Sequence, residues 1–138
     1  MPRIPFVFAI AVAAIVAGSA IAQSAPQTSP AGKWQATEIN GATVATDVQS
    51  TLEIAEDGKS TGSGGCNNFT GMAEFSITAI AFGPLAGTKK ACPEPAMKQE
   101  ADFHKALEQV KAWKFEQPNH LLLLDGDNKV VVKLAAKK

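Results

Sequence analysis

The side chains best suited to thiol, imidazole or soft-metal chemistry in this chain are Cys66, Cys92, His104 and His120. Two cysteines and two histidines spell either a zinc site or a thiol nucleophile served by an imidazole. Spacing argues against both, because neither the cysteines nor the histidines form the close pair that such sites use. A disulfide between Cys66 and Cys92 needs only an oxidising compartment, and it is the leading expectation, with zinc and nucleophile as the alternatives. Closing that loop is worth about 3.5 kcal/mol by the chain-entropy estimate. His104 falls in a helical stretch and reads as a solvated residue, while His120 reads as a strand-end residue. Gly62-Ser63-Gly64 lacks the spacing of a nucleophile elbow, and no phosphate-loop lysine or helix follows these glycines. The chain is therefore expected to be non-enzymatic, with no catalytic residue, no metal and no cofactor.

Positioning these residues begins with where the chain is sent. Arg3 opens a leader in which Phe6 to Ala17 is an unbroken apolar run and Ala20-Ile21-Ala22 is a small-x-small cleavage site. The run is too short for the roughly 20 residues that span a bilayer, so residues 1–22 read as a signal peptide cleaved after Ala22. No cysteine follows the cleavage site, so no lipid anchor is expected, and the destination is the periplasm. Residues 23–31, rich in Ser, Pro and Gln, read as a flexible lead-in, and residues 32–138 as one domain. With 13 Lys+Arg against 13 Asp+Glu, the chain has no electrostatic footprint for nucleic acid or anionic lipid. Arg3 is its one arginine, which counts against bidentate carboxylate or phosphate ligands.

Period-2 alternation marks strands at 33–39, 51–55, 59–65, 71–78 with a continuation over 79–82, then 113–116, 120–125 and 129–134. Asn40-Gly41 and Asp57-Gly58 are turn signals between them. Ala73, Phe75 and Ile77 share one face of their strand, and the apolar run Leu121 to Leu124 predicts a strand covered on both faces. Gly62, Gly64 and Gly65 predict a bulge or sharp bend where another backbone or a bulky ring packs close. The single convincing helix starts after Cys92, with prolines in its first turn, and runs to about Ala112. Ala96, Phe103, Leu107 and Val110 form its apolar stripe, and Lys105, Lys111 and Lys114 lie toward its negative end. About seven short strands with one helix before the last three predict a mainly β (α+β) fold. Its form is a small antiparallel barrel closed or nearly closed on itself, the helix packed at the open seam.

Over roughly residues 32–135 the sequence resembles the META domain (HslJ-like) family. Gly65-Cys66-Asn67-Asn68-Phe69-Thr70-Gly71 resembles the family's Gly-Cys-Asn-x-x-x-Gly signature, and Thr88-Lys89-Lys90-Ala91-Cys92 resembles its Thr and Ala-Cys spacing. Glu100, Phe103 and Leu107 follow where the family's helix is expected, and the opening Gly32-x-Trp34 also fits. The resemblance implies a lipocalin-like or cracked β-barrel, and a link to heat shock, antibiotic tolerance and envelope upkeep rather than to a reaction. It singles out Gly65, Cys66, Asn67, Gly71, Thr88, Ala91 and Cys92 as signature positions, structural or binding. Lys90 departs from the apolar residue common there, and the lipoprotein cysteine of anchored relatives is missing. Asn67 and Asn68 tolerate left-handed backbone and bond to nearby amides, so they are expected to fix a turn that presents Cys66 to Cys92.

The leading functional expectation is an exported, monomeric META-domain protein that supports the envelope under stress by binding an envelope protein or an apolar small molecule. A periplasmic protease inhibitor on a lipocalin-like barrel is the alternative, and a lipid carrier the third reading. A carrier needs an interior left open, which Trp34, Phe75, Phe82, Phe115 and Leu121 to Leu124 either line or plug. An inhibitor needs an ordered N-terminal segment free to insert into a protease cleft.

Overall fold

A computed structural model describes residues 11–14, 18 and 27–137. The leader and its cleavage site fall outside these residues, apart from 11–14 and 18, which have no regular secondary structure. The strands are β1 (Gly32–Ile39), β2 (Ala42–Thr43), β3 (Thr51–Ile54), β4 (Lys59–Ser63), β5 (Asn68–Phe75), β6 (Ile80–Phe82) and β7 (Ala86–Gly87). Helix α1 (Glu94–Gln109) follows, then β8 (Ala112–Glu116), β9 (His120–Leu124) and β10 (Val130–Ala136).

Every pairing is antiparallel, in the order β6-β5-β4-β3-β1-β10-β9-β8, with β2 beside β1 and β7 beside β5. Eight strands thus curl into a barrel, and its ends meet only briefly. The Ile80 amide donates to Lys111 C=O (3.2 Å), the Trp113 amide donates to Thr78 C=O (3.1 Å), and Ala79 bridges Ala112. Beyond that point β6 and β8 part, and α1 fills the gap. The fold is the nearly closed, mostly β barrel with one helix that the strand pattern predicts.

The core explains why the gap needs a helix. Phe103, Ala106 and Leu107 of α1 are fully buried against Phe69, Leu52, Leu121 and Leu134 from the barrel wall. Each large side chain buried this way contributes about 1.5–3 kcal/mol. Pro93 and Pro95 set the helix entry, and Glu94 sits at its positive end, as expected. Of the lysines expected toward its negative end, Lys105 lies within the helix before its last turn, while Lys111 and Lys114 fall beyond it, because the helix ends at Gln109 and Val110 turns extended into the core.

Other differences have local causes. Strand β5 begins at Asn68 and stops at Phe75, because Ser76 Oγ accepts the Thr78 and Ala79 amides and makes a turn, which leaves Ile77 77% exposed rather than facing inward. Leu121, Leu123 and Leu124 are buried and Leu122 is half-buried, so β9 is covered on both faces, as expected, though less completely at Leu122. The lead-in is packed from residue 27 onward: Pro30 is buried and its carbonyl accepts the Trp34 indole N–H (2.9 Å).

Candidate functional site

Cys66 and Cys92 are disulfide-bonded, Cα atoms 6.0 Å apart, and neither sulfur is available as a nucleophile or a zinc ligand. The bridge ties the β4–β5 turn to the segment that enters α1. Asn67, 5% exposed, does the rest. Its carboxamide oxygen accepts from the Lys90 amide (2.6 Å) and the Thr88 hydroxyl (2.9 Å). Its carboxamide nitrogen donates to Lys90 C=O (3.2 Å) and to Glu100 Oε2 (2.8 Å). The side chain therefore pairs with both backbone groups of Lys90, as a neighbouring strand residue would, and continues the β5–β7 ladder past the end of β7.

Glu100 is the buried counterpart, reaching back from α1. Oε1 accepts the amides of Asn67 (2.6 Å) and Cys66 (3.2 Å). Burial pushes the carboxyl upward, but the hydrogen bonds from Asn67 and Cys66, with His104 nearby, hold it below its ordinary value of 4.5. An adjoining ring of bonds fixes the 45–50 segment: Ser50 Oγ–H donates to Gly64 C=O (2.7 Å), and Gln99 Nε2 donates to Val48 C=O (3.0 Å).

The glycines admit this close contact. Gly65 has φ +136°, and a Cβ there would lie 2.8 Å from Val48 Cγ1 and 3.2 Å from Ala96 C=O on the helix. At Gly71 a Cβ would lie 2.6 Å from Leu85 Cδ2, so this glycine leaves the space that Leu85 occupies. The expected close approach is present: a Cβ at Gly62 would meet the backbone carbonyl of Thr51 and lie 3.0 Å from the Phe69 ring, and Gly64 and Gly65 admit side chains and backbone of the helix. No bulge accompanies it, since β4 keeps an unbroken register with β3 and β5.

The cluster forms one wall of a groove. An open cleft of ≈ 550 Å³ runs between the segment Leu85–Ala91 and α1, with Met97, Glu100 and His104 on the helix side. A second cleft of ≈ 370 Å³ continues it past Gly83, Pro84 and Glu108, sharing Leu85 and His104 with the first. The walls combine half-buried apolar side chains, Leu85 and Met97, with the exposed Lys89 and Lys90.

All seven signature positions, Gly65, Cys66, Asn67, Gly71, Thr88, Ala91 and Cys92, meet here. Asn67 and Asn68 depart from the expected turn: neither has positive φ, Asn68 starts β5, and Asn67 works across the chain rather than on adjacent amides. His104 is half-buried rather than freely solvated. Its ring meets the Phe69 ring edge-on (centroids 5.2 Å apart, interplanar angle 79°), and Nε2 is buried without a hydrogen-bond partner among the described residues. His120 lies at the start of β9, paired with Glu116 and Ala135 in the closing meander. Sequence reasoning placed Glu100 on the helix without seeing it as the hub. Its position three residues before Phe103 and seven before Leu107, on the apolar stripe, is the signal, since a carboxylate there needs buried donors.

A small antiparallel barrel, its seam covered by one helix and its disulfide-tied turn facing that helix, is the class of protein these features define. The chain belongs to the META domain family, whose model matches residues 27–138. Two solved structures share the fold. One, an NMR structure of a protein from Burkholderia xenovorans, has TM-score 0.63 and 18% identity, covering 87% of this chain and 94% of that one. The other, also an NMR structure, has TM-score 0.59 and 19% identity, covering 83% of this chain and 96% of that one. No curated protein matches the chain. Among the described residues, no helix is long and apolar enough to cross a membrane.

Proposed function

We propose that this META-domain protein is exported to the periplasm, its leader cleaved after Ala22, and supports the cell envelope under heat or antibiotic stress. It does so as a non-enzymatic monomer that binds a partner protein. The observation that carries this reading is the groove beside α1. The signature residues are spent on holding its wall, and the chemistry they perform is hydrogen bonding and close packing rather than proton or group transfer. The disulfide supports an oxidising destination.

The two other binding modes draw less support. Trp34, Phe69, Phe103 and Leu107 fill the space a barrel carrier would leave for cargo. Of the lead-in Gln23 to Ala31, which an inhibitor would insert into a protease, residues 23–26 lie outside the described residues, and the rest packs on the barrel with Pro30 buried and bonded to Trp34. A strain lacking the protein should lose tolerance to heat or to a cell-wall antibiotic, and the wild-type chain should restore it from the periplasmic fraction. The double variant Leu85→Glu, Met97→Glu, shown to fold by circular dichroism, should be exported and fail to restore it. Full tolerance in the deletion strain, or full rescue by the groove variant, overturns the reading.

A further inference from the structure

The chain from Ile80 to Thr88 runs along one edge of β5 as a single interrupted strand, and the Asn67 side chain carries the pairing on to Lys90. Ile80 faces Phe75 and Phe82 faces Ala73, whereas Ala86 faces Thr70 and Gly87 faces Phe69, so the register slips by one residue at Gly83–Leu85. On the inward side beyond the slip, Ala86 and Gly87 pair with β5, the Thr88 amide donates to Asn68 C=O (3.0 Å), and both backbone groups of Lys90 are taken by the Asn67 carboxamide. In an antiparallel ladder the residues between bonded positions turn their N–H and C=O groups the other way. Gly87, Lys89 and Ala91 therefore present their backbone groups outward, toward the groove. There the barrel has parted and α1, not a strand, is the next element.

We infer that Leu85–Ala91 is an acceptor edge at which a partner protein adds an extended, acidic segment as a further strand, lying between this edge and α1. The inference deepens the partner-binding reading above and rests on it. Three features select the occupant. Outward backbone groups at every second residue match another extended backbone, the requirement of strand addition. Leu85 and Met97 give apolar floor for the inward side chains of such a segment. Lys89 and Lys90 set the charge, since Glu100 is already occupied by three donors from the cluster. Lysines on an edge also deter self-pairing, and a second copy of this edge would bring the same two cations. A strand alternating apolar and acidic residues is the complement. At about 3.3 Å per residue, the seven positions span roughly 23 Å, the length of a seven- or eight-residue peptide.

The test uses the oxidised, isotope-labelled protein and three end-blocked octapeptides. One alternates Leu or Val with Glu, the second replaces Glu with Lys, and the third is the acidic peptide with alternate backbone amides methylated. Slowed amide exchange and shift changes at Gly87, Lys89 and Ala91 are expected with the acidic peptide. Binding should be on the order of tenfold weaker for each of the other two, about what one to two lost hydrogen bonds or charge pairs produce. The variant Lys89→Glu, Lys90→Glu should reverse the preference between the acidic and basic peptides. Equal binding of the methylated peptide, equal binding of both charge types, perturbation confined to another surface, or no protection at Gly87 and Lys89 each overturns the inference. Those results leave the envelope reading to its own strain assay. Peptide binding with a silent deletion strain would sink the envelope reading and keep the acceptor edge.

Discussion

Removing one carboxamide is the sharpest perturbation of the site. In Asn67→Ala the four side-chain hydrogen bonds to Thr88, Lys90 and Glu100 disappear together. Three neutral bonds at about 1 kcal/mol each and one to a carboxylate at about 1.5–3 kcal/mol sum to roughly 5 kcal/mol. The disulfide still holds the segment near Cys66, and water can enter at the exposed Thr88 and Lys90, so the expected net loss is about 3–4 kcal/mol. Urea unfolding under oxidising conditions reads it directly. With a slope of about 1.5 kcal/mol/M the midpoint should fall by about 2 M at unchanged slope. The near-isosteric Asn67→Asp, which loses both donors and sets a second carboxylate against Glu100, should cost at least as much at neutral pH, and its deficit should narrow as acid protonates the pair. A midpoint shift below about 0.5 M for Asn67→Ala would falsify the clamp and return Asn67 to a dispensable turn residue.

Glu100 should leave a signature in acid: its folded value lies below 4.5, so its contribution to stability is present above that pH and is lost as the pH falls through the depressed folded value. The urea midpoint of Glu100→Gln should therefore lie below wild type at pH 7, by about 1–3 kcal/mol in stability, and approach it at pH 3; parallel curves would contradict the buried acceptor. Cys66→Ser paired with Cys92→Ser should lower stability by about 3.5 kcal/mol in non-reducing buffer, and an unchanged thermal midpoint would show that the bridge is not structural. Gly71→Val should displace Leu85 from the groove wall and cost about 1–3 kcal/mol by overpacking, read in calorimetry; a neutral result would mean that Leu85 is not held there.

Much of the scaffold was legible because its signals are local. Asn40 and Gly41 both take positive φ at the turn that the dipeptide announces, and the alternating segments around Trp34, Leu52 and Val132 appear as strands within a residue or two. The helix was legible from Phe103 and Leu107, whereas Val110, read onto the same stripe, is buried one residue past the helix end. Strand β7 was not, because two exposed residues have no period, and Ala86–Gly87 pairs only because β5 offers an edge. Asn67 was misassigned for a related reason. Asparagine beside a cysteine usually bonds locally, and nothing within the motif announces a backbone partner 23 residues away at Lys90. His104 looked solvated beside exposed Lys105, yet the space left by Gly64 admits it against Phe69. The groove itself belongs to no single motif, since one wall comes from 85–91 and the other from α1.

The central claim is that the signature clamp holds a strand edge whose inward face is paired and whose outward face is open beside the helix. Residue-resolved amide exchange on the unliganded, oxidised protein tests it most directly. Thr88 and Lys90 should be protected while Gly87 and Lys89 exchange fast, and Asn67→Ala should abolish protection at Lys90. Uniform protection across 87–90, or a Lys90 amide as fast as its neighbours in the wild type, would contradict the account.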